Sequence, residues 1–238
     1  VMFEIDRLLK DVDNRFGGIL NGIDFHSWNP EVDEMITARY SIKDGIEKVL
    51  EARSANKAAL QAVLAEGGDV SKVGVKDASK VFGFLKAGSN RMLVGVVSRL
   101  VGQKQLDILS RIIEDIYAGR KVPLPMDLVI LGTGEKWLED ELAKLAQDKG
   151  KAAKGLNIVF VQAYSEKLAH WIYAGSDVLL VPSDYEPSGL TQMIAMRYGS
   201  LPVVRKTGGL ADTVFELGEQ WTGFVFDGVS RSFATIEE

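Results

Sequence analysis

Glu186-Pro187-Ser188-Gly189-Leu190-Thr191-Gln192 sets a carboxylate directly before a glycine-marked helix start. The free N–H groups and dipole of a helix start favour an anion, Gly189 lets a ligand approach the main chain, and Thr191 adds a hydroxyl donor. Ser188 also fits a plain N-cap that binds nothing, and Glu186 a solvated loop carboxylate. A carboxylate beside a phosphate is electrostatically poor unless something lies between them, and a sugar ring with hydroxyl donors fills that gap. Arg99 and Lys104, in Ser98-Arg99-Leu100-Val101-Gly102-Gln103-Lys104, form a second constellation. Both cations can reach one diphosphate and meet the charge that grows on a leaving group; the alternative is ordinary surface charge.

Gly132-Thr133-Gly134-Glu135-Lys136-Trp137 begins like the dinucleotide fingerprint G-x-G-x-x-G but has Trp137 where the third glycine should close helix on strand. That argues against a nicotinamide or flavin site and leaves Gly132 and Gly134 for a nucleotide's base or ribose. Asp11-Val12-Asp13 matches a D-x-D pair, yet it lies in an amphipathic pattern with Ile5, Leu8, Leu9 and Val12 inward, so solvated carboxylates and no metal are expected. Trp28, Trp137, Trp171 and Trp221 could stack on sugars, although core or rim packing is their commoner use.

The elements that would position these residues alternate from about residue 93. Leu93–Ser98, Leu128–Leu131, Ile158–Val161, Val178–Val181 and Pro202–Val204 read as buried strands. Helical faces lie between them, marked by Leu106 to Ile116, Trp137 to Gln147, Glu166 to Ala174 and Gly189 to Tyr198. Continuous apolar strands alternating with helices predict a doubly wound, Rossmann-like α/β fold whose ligand lies at the carboxyl ends of a parallel sheet. Residues 1–40 read as an N-terminal arm or interdomain segment and 41–238 as the domain. A helix is expected over about 40–64 and a surface insertion over about 66–92.

Composition narrows the function. The 238 residues carry a net charge of −5, so no general basic field exists for a nucleic acid, and any anion site must be local. There is no cysteine, and His26 and His170 lie outside any H-E-x-x-H arrangement, which removes thiolate chemistry and the usual zinc hydrolase pattern. No run of about 18 apolar residues suggests a membrane span, and no signal peptide is evident, so a soluble, intracellular protein is expected. The opening in the middle of a helical pattern reads as a piece of something longer.

Together these residues resemble the bacterial and plant glycogen/starch synthases, retaining glycosyltransferases of the two-domain GT-B fold. The likeness rests on Gly18-Ile19-Leu20-Asn21-Gly22-Ile23-Asp24, on Val97 to Lys104, and on the run from Tyr173 to Val214. Within that run, Glu186 to Gln192, Ala195-Met196-Arg197-Tyr198-Gly199 and Arg205-Lys206-Thr207-Gly208-Gly209-Leu210 look most like plant-type soluble starch synthases. The resemblance implies the C-terminal, nucleotide-sugar half of a GT-B fold. It implies transfer of glucose from ADP-glucose to an α-1,4-glucan acceptor, with no cofactor, in a plastid or a bacterial cytoplasm.

By the same resemblance Arg99 and Lys104 would hold the diphosphate, Ser188, Gly189, Leu190 and Thr191 the phosphate at the helix start, and Glu186 the glucose. Tyr164 would stack on adenine, and Asn21 would face the acceptor side of the cleft. Three departures stand out. Gln105 replaces the family's usual glycine after the lysine, the 66–92 segment is long, and the N-terminal GT-B domain is absent, so the chain is expected to bind ADP but to transfer glucose slowly or not at all. The competing readings are a UDP-sugar-dependent GT-B transferase and a non-catalytic glucan-binding or regulatory module.

Overall fold

Strands such as Leu128-Val129-Ile130-Leu131 carry no polar alternation and can be buried only if helices cover both faces of the sheet. The computed structural model, which describes residues 18–227 apart from 119, 121–124, 150–155, 217, 219 and 220, has that arrangement. Asp11 and Asp13 lie outside the described residues. Strands β1 (Val81–Gly83), β2 (Met92–Val97), β3 (Met126–Leu131), β4 (Leu156–Val161), β5 (Val178–Val181), β6 (Leu201–Arg205) and β7 (Phe224–Phe226) form one sheet in the order β1-β4-β3-β2-β5-β6-β7. All pairs are parallel except β1 with β4. This is the expected doubly wound, Rossmann-like fold.

Helices α1 (Ile46–Val63), α2 (Asp107–Tyr117), α3 (Lys136–Lys149), α4 (Glu166–Gly175), α5 (Thr191–Arg197) and α6 (Gly208–Thr213) cover it. Because strand side chains alternate, Leu93, Val129 and Val159 pack with Leu60 of α1 and Ile172 of α4. Val96, Ile130 and Phe160 pack on the opposite face with Ile113 of α2 and Leu142 of α3. The order places β2 between β3 and β5, so the chain leaves β2 one way and resumes on its other side at β5. A crevice opens where strand order reverses, at the carboxyl ends of β2 and β5.

Four features differ from the sequence-based expectation. Residues 66–92 are not a surface insertion: Val70, Val73, Val75 and Leu85 are buried, and β1 extends the sheet as its antiparallel edge. Their periodicity is weak because they bury single side chains from 3₁₀ turns and a three-residue strand. Helix α5 starts at Thr191 rather than Gly189, whose φ of 72° is left-handed. The short elements α6 and β7 had no period long enough to reveal them. Finally, α1 begins at Ile46, after a 3₁₀ turn closed by a Ser41–Asp44 capping box.

The arm from 18 to 40 contains no helix or strand, yet it is anchored in the core by Ile36 and Tyr40. Asp33 is buried with it and accepts hydrogen bonds at Oδ2 from Tyr198 Oη at 2.5 Å and from His170 Nδ1 at 2.7 Å. Trp28 stacks on the His170 ring at 4.1 Å between centroids. Burial opposes ionisation of Asp33, but the His170 and Tyr198 hydrogen bonds outweigh it and hold the carboxyl below its usual range. The folded state therefore binds fewer protons here than the unfolded chain, and this contribution to stability is present above the ordinary aspartate pKa of 3.8 and is lost as pH falls below it. Asp33→Asn is expected to destabilise the fold at pH 7 by about 1–3 kcal/mol. Thermal melts across pH check this: the gap to wild type should close below about pH 4.

Among the described residues no helix is long and apolar enough to cross a membrane. No group of three or more histidine or acidic side chains there is placed to hold a metal ion.

Candidate functional site

The chain leaving β2 is strapped to the chain leaving β3. Leu100 N–H donates to the Thr133 carbonyl at 2.9 Å, and Glu135 N–H donates to the Leu100 carbonyl at 2.7 Å. The two backbones approach so closely that a Cβ on Gly132 would overlap the Ser98 carbonyl oxygen, and one on Gly134 the Leu100 carbonyl. These glycines thus position the Arg99 loop by having no side chain. Gly132 also lines the cleft described below, whereas Gly134 does not. Past Arg99 the chain makes a 3₁₀ turn, Gly102–Lys104, that ends on Gln105 at φ 49°. Gln105 is the one non-glycine among the described residues with a positive φ, which is why glycine suits this position; the left-handed conformation costs a side-chain-bearing residue about 1–2 kcal/mol.

That turn meets the loop leaving β5. Asp184 N–H donates to the Gln103 carbonyl at 2.9 Å, and Gln103 Nε2 donates to the Tyr185 carbonyl at 2.5 Å. Lys104 Nζ forms an ion pair with Glu186 Oε2, with side-chain exposures of 18% and 16%, and Ser183 Oγ donates to the same oxygen at 3.3 Å. Arg205 at the end of β6 pairs with Asp184. Behind the loop, Gly209 N–H donates to the Glu186 carbonyl at 2.9 Å. A Cβ on Gly208 would overlap that carbonyl, and one on Gly209 the Ser188 carbonyl. The Lys206 to Leu210 stretch is therefore the backing of the Glu186 loop.

A cleft of about 380 Å³ lies over the carboxyl ends of the strands and brings together Arg99, Lys104, Gly132, Tyr164 and Thr191. Glu186 reaches it through Lys104. Arg99 is exposed and has no ion-pair partner among the described residues, so one cation here is neutralised and the other is available. Tyr164, after β4, is 89% exposed, a ring with a bare face at the rim. Ser188 Oγ accepts from Asn21 N–H at 3.2 Å, which ties the arm to the Glu186 loop outside the cleft lining. Gly189 packs against the Glu186 side chain and Leu190 is 44% exposed; neither lines the cleft.

Other lining residues carry no assigned role from sequence: Ser98, Thr133 and Tyr173, which fall within the motif runs quoted above, and Glu166, which does not. Their one signal in sequence is position, since the first two follow strands directly and Glu166 opens α4. Burial pushes the Tyr173 phenol up to about 12, against a hydrogen bond with the Thr191 side chain. It therefore stays a neutral donor on the floor of the cleft. Of the four tryptophans, only Trp28 lines the cleft. Chemically, two cations, a carboxylate paired to one of them and an exposed aromatic ring suit an anionic ligand with a planar end and hydroxyl groups between.

The model of the family "Glycosyl transferases group 1" matches residues 77–234. This chain belongs to that family. The family match includes β1, in keeping with its place in the sheet. Glycogen synthases from Marinomonas sp. and Syntrophotalea carbinolica are 40% and 41% identical over 93% and 92% of this chain. The likeness to glycogen and starch synthases expected from the motifs thus extends along nearly all of it. A solved structure, the catalytic domain of starch synthase IV from Arabidopsis thaliana bound to ADP and acarbose, superposes with a TM-score of 0.68 at 35% identity. It covers 94% of this chain and 41% of that one. This glycosyl transferase group 1 chain spans about two fifths of the length of these relatives.

Proposed function

We propose that this chain is the donor half of a glycogen or starch synthase: it holds ADP-glucose for transfer of glucose, with retention, to the non-reducing end of an α-1,4-glucan. The observation that carries the reading is the Lys104–Glu186 pair, with Arg99 beside it, at the point where strand order reverses. Support comes also from the likeness to a starch synthase catalytic domain bound to ADP. As the glycosidic bond to the diphosphate breaks, negative charge grows on the leaving group and positive charge on the sugar. Arg99 and Lys104 meet the first, and Glu186 stabilises the second. Asn21, whose N–H is held on Ser188 Oγ, is the residue this reading assigns to the acceptor side. No metal enters this scheme, and the setting it implies is a plastid or a bacterial cytoplasm.

Acceptor binding and exclusion of water need a second wall, which the longer relatives have room to supply. The chain as given is therefore expected to bind ADP while extending glucan slowly or not at all. Calorimetry with ADP and UDP tests the reading: ADP binds, UDP binds more weakly, and Tyr164→Ala weakens ADP about tenfold by loss of stacking. Because Tyr164 is exposed, its melting temperature should not move. Absence of ADP binding would overturn the proposal, and equal affinity for UDP would reassign the donor. Glucan binding indifferent to ADP and to Glu186→Ala would mark a non-catalytic module.

A further inference from the structure

We infer that Gln192, with Thr213 behind it, is the positioning residue that turns the main chain at Ser188–Leu190 so that its N–H groups face the donor's diphosphate. This rests on the donor reading above and adds the residues that prepare the turn. Gln192 is fully buried at the start of α5. Its Nε2 lies 3.0 Å from the Ser188 carbonyl, 3.0 Å from the Gly189 carbonyl and 3.0 Å from Thr213 Oγ1. The Thr213 hydroxyl proton is committed to the Gly209 carbonyl at 2.6 Å, so toward Gln192 the oxygen can only accept. That fixes which end of the Gln192 amide carries hydrogens, and both loop carbonyls are drawn toward it.

In a trans peptide the carbonyl of one residue and the N–H of the next point in opposite directions, and the described residues contain no cis bond. Holding the Ser188 and Gly189 carbonyls inward therefore turns the N–H groups of Gly189 and Leu190 outward, and neither has a partner among the described residues. Thr191, next in the chain, lines the cleft with Arg99 and Lys104, so these two N–H groups belong to the backbone that leads into the cleft edge rather than to its lining.

The cost of this arrangement identifies its purpose. Gln192 Oε1 is buried without a partner, and a Cβ on Gly189 would stand 2.5 Å from it. A leucine of similar size would fill the same space and avoid the buried Oε1 but would leave the Ser188 and Gly189 carbonyls without their donor, so packing alone does not account for an amide here. Its Nε2 does, by setting the direction of two peptide groups.

Gln192→Leu and Thr213→Val test the inference. With the chain as given, ADP affinity should fall about tenfold in Gln192→Leu and about threefold in Thr213→Val, as hydrogen bonds to the turn are lost. Affinity for adenosine, which has the base and ribose but no phosphate, should be unchanged in both variants, which separates a lost phosphate contact from a general loss of fold. Equal losses for ADP and adenosine, or no loss of ADP affinity in either variant, overturn it. Backbone order parameters of the ligand-free Gly189 and Leu190 amides separate this from failure of the donor reading. If wild type binds no ADP, lower order parameters in both variants still support the positioning role, and unchanged ones overturn it.

Discussion

Lys104→Ala is expected to weaken ADP binding by about 100-fold, or about 2.7 kcal/mol, in a calorimetric titration of this chain. Loss of a charge-assisted hydrogen bond to phosphate accounts for about 1.5–3 kcal/mol. A second effect has the same sign: Lys104 is paired with Glu186 in a half-buried setting, so its removal leaves a bare carboxylate facing the diphosphate. Glu186→Gln should act in the opposite direction and tighten ADP severalfold, because Lys104 is then neutralised by the ligand alone. Combining the two changes should recover part of the Lys104→Ala loss. Equal weakening by Lys104→Ala and Glu186→Gln would show that the pair does not face the phosphates. In the proposed donor reading the same pairing would let one site serve two opposite charges: a diphosphate that takes Lys104 would free the Glu186 carboxylate for the sugar.

Gly132→Ala should destabilise the fold by about 3 kcal/mol, read by denaturant unfolding, although it adds a single methyl group. The added carbon would overlap the Ser98 carbonyl oxygen, a backbone atom that can move only with the end of β2 and the Arg99 loop. Gly102→Ala, three residues beyond Arg99, is the matched control. A Cβ there meets nothing within 4 Å and its φ is not left-handed, so its effect should stay within about 0.5 kcal/mol. Should Gly132→Ala remain folded with full stability, the strap between the β2 and β3 loops would not be what holds Arg99.

Much of the fold was legible because its signals are local. Each of β2 to β6 is built around an apolar run of at least four residues, and α2 and α3 each show an apolar face, so their existence follows from residue type and period. The 66–92 segment shows no period because Val70, Val73 and Leu85 are buried one at a time. The sequence pattern puts the helix start at Gly189, two residues before Thr191, because nothing in residue type reveals that Gly189, with φ of 72°, forms the turn before the helix. What the spacing of Gly132 and Gly134 does not reveal is that the missing side chains let the β3 loop close on the Ser98 and Leu100 backbones.

The residue types of the candidate site came from sequence alone: two cations after one strand, a carboxylate and glycine after another, and the motif likeness that led to a glycosyltransferase. Which loops meet was decided by the tertiary structure. Lys104 and Glu186 lie 82 residues apart and Asn21 and Ser188 lie 167 apart, separations over which no side-chain period carries information. Lys104 and Glu186 meet because β2 and β5 are neighbours in the order β1-β4-β3-β2-β5-β6-β7, and Asn21 meets Ser188 because the arm is anchored by burial of Ile36 and Tyr40; both follow from burying apolar surface of elements distant in sequence. The same holds for Gln192, which the sequence marks only as the end of the Glu186 to Gln192 run and whose amide gains a role when the Ser188–Leu190 turn and α6 are brought against it.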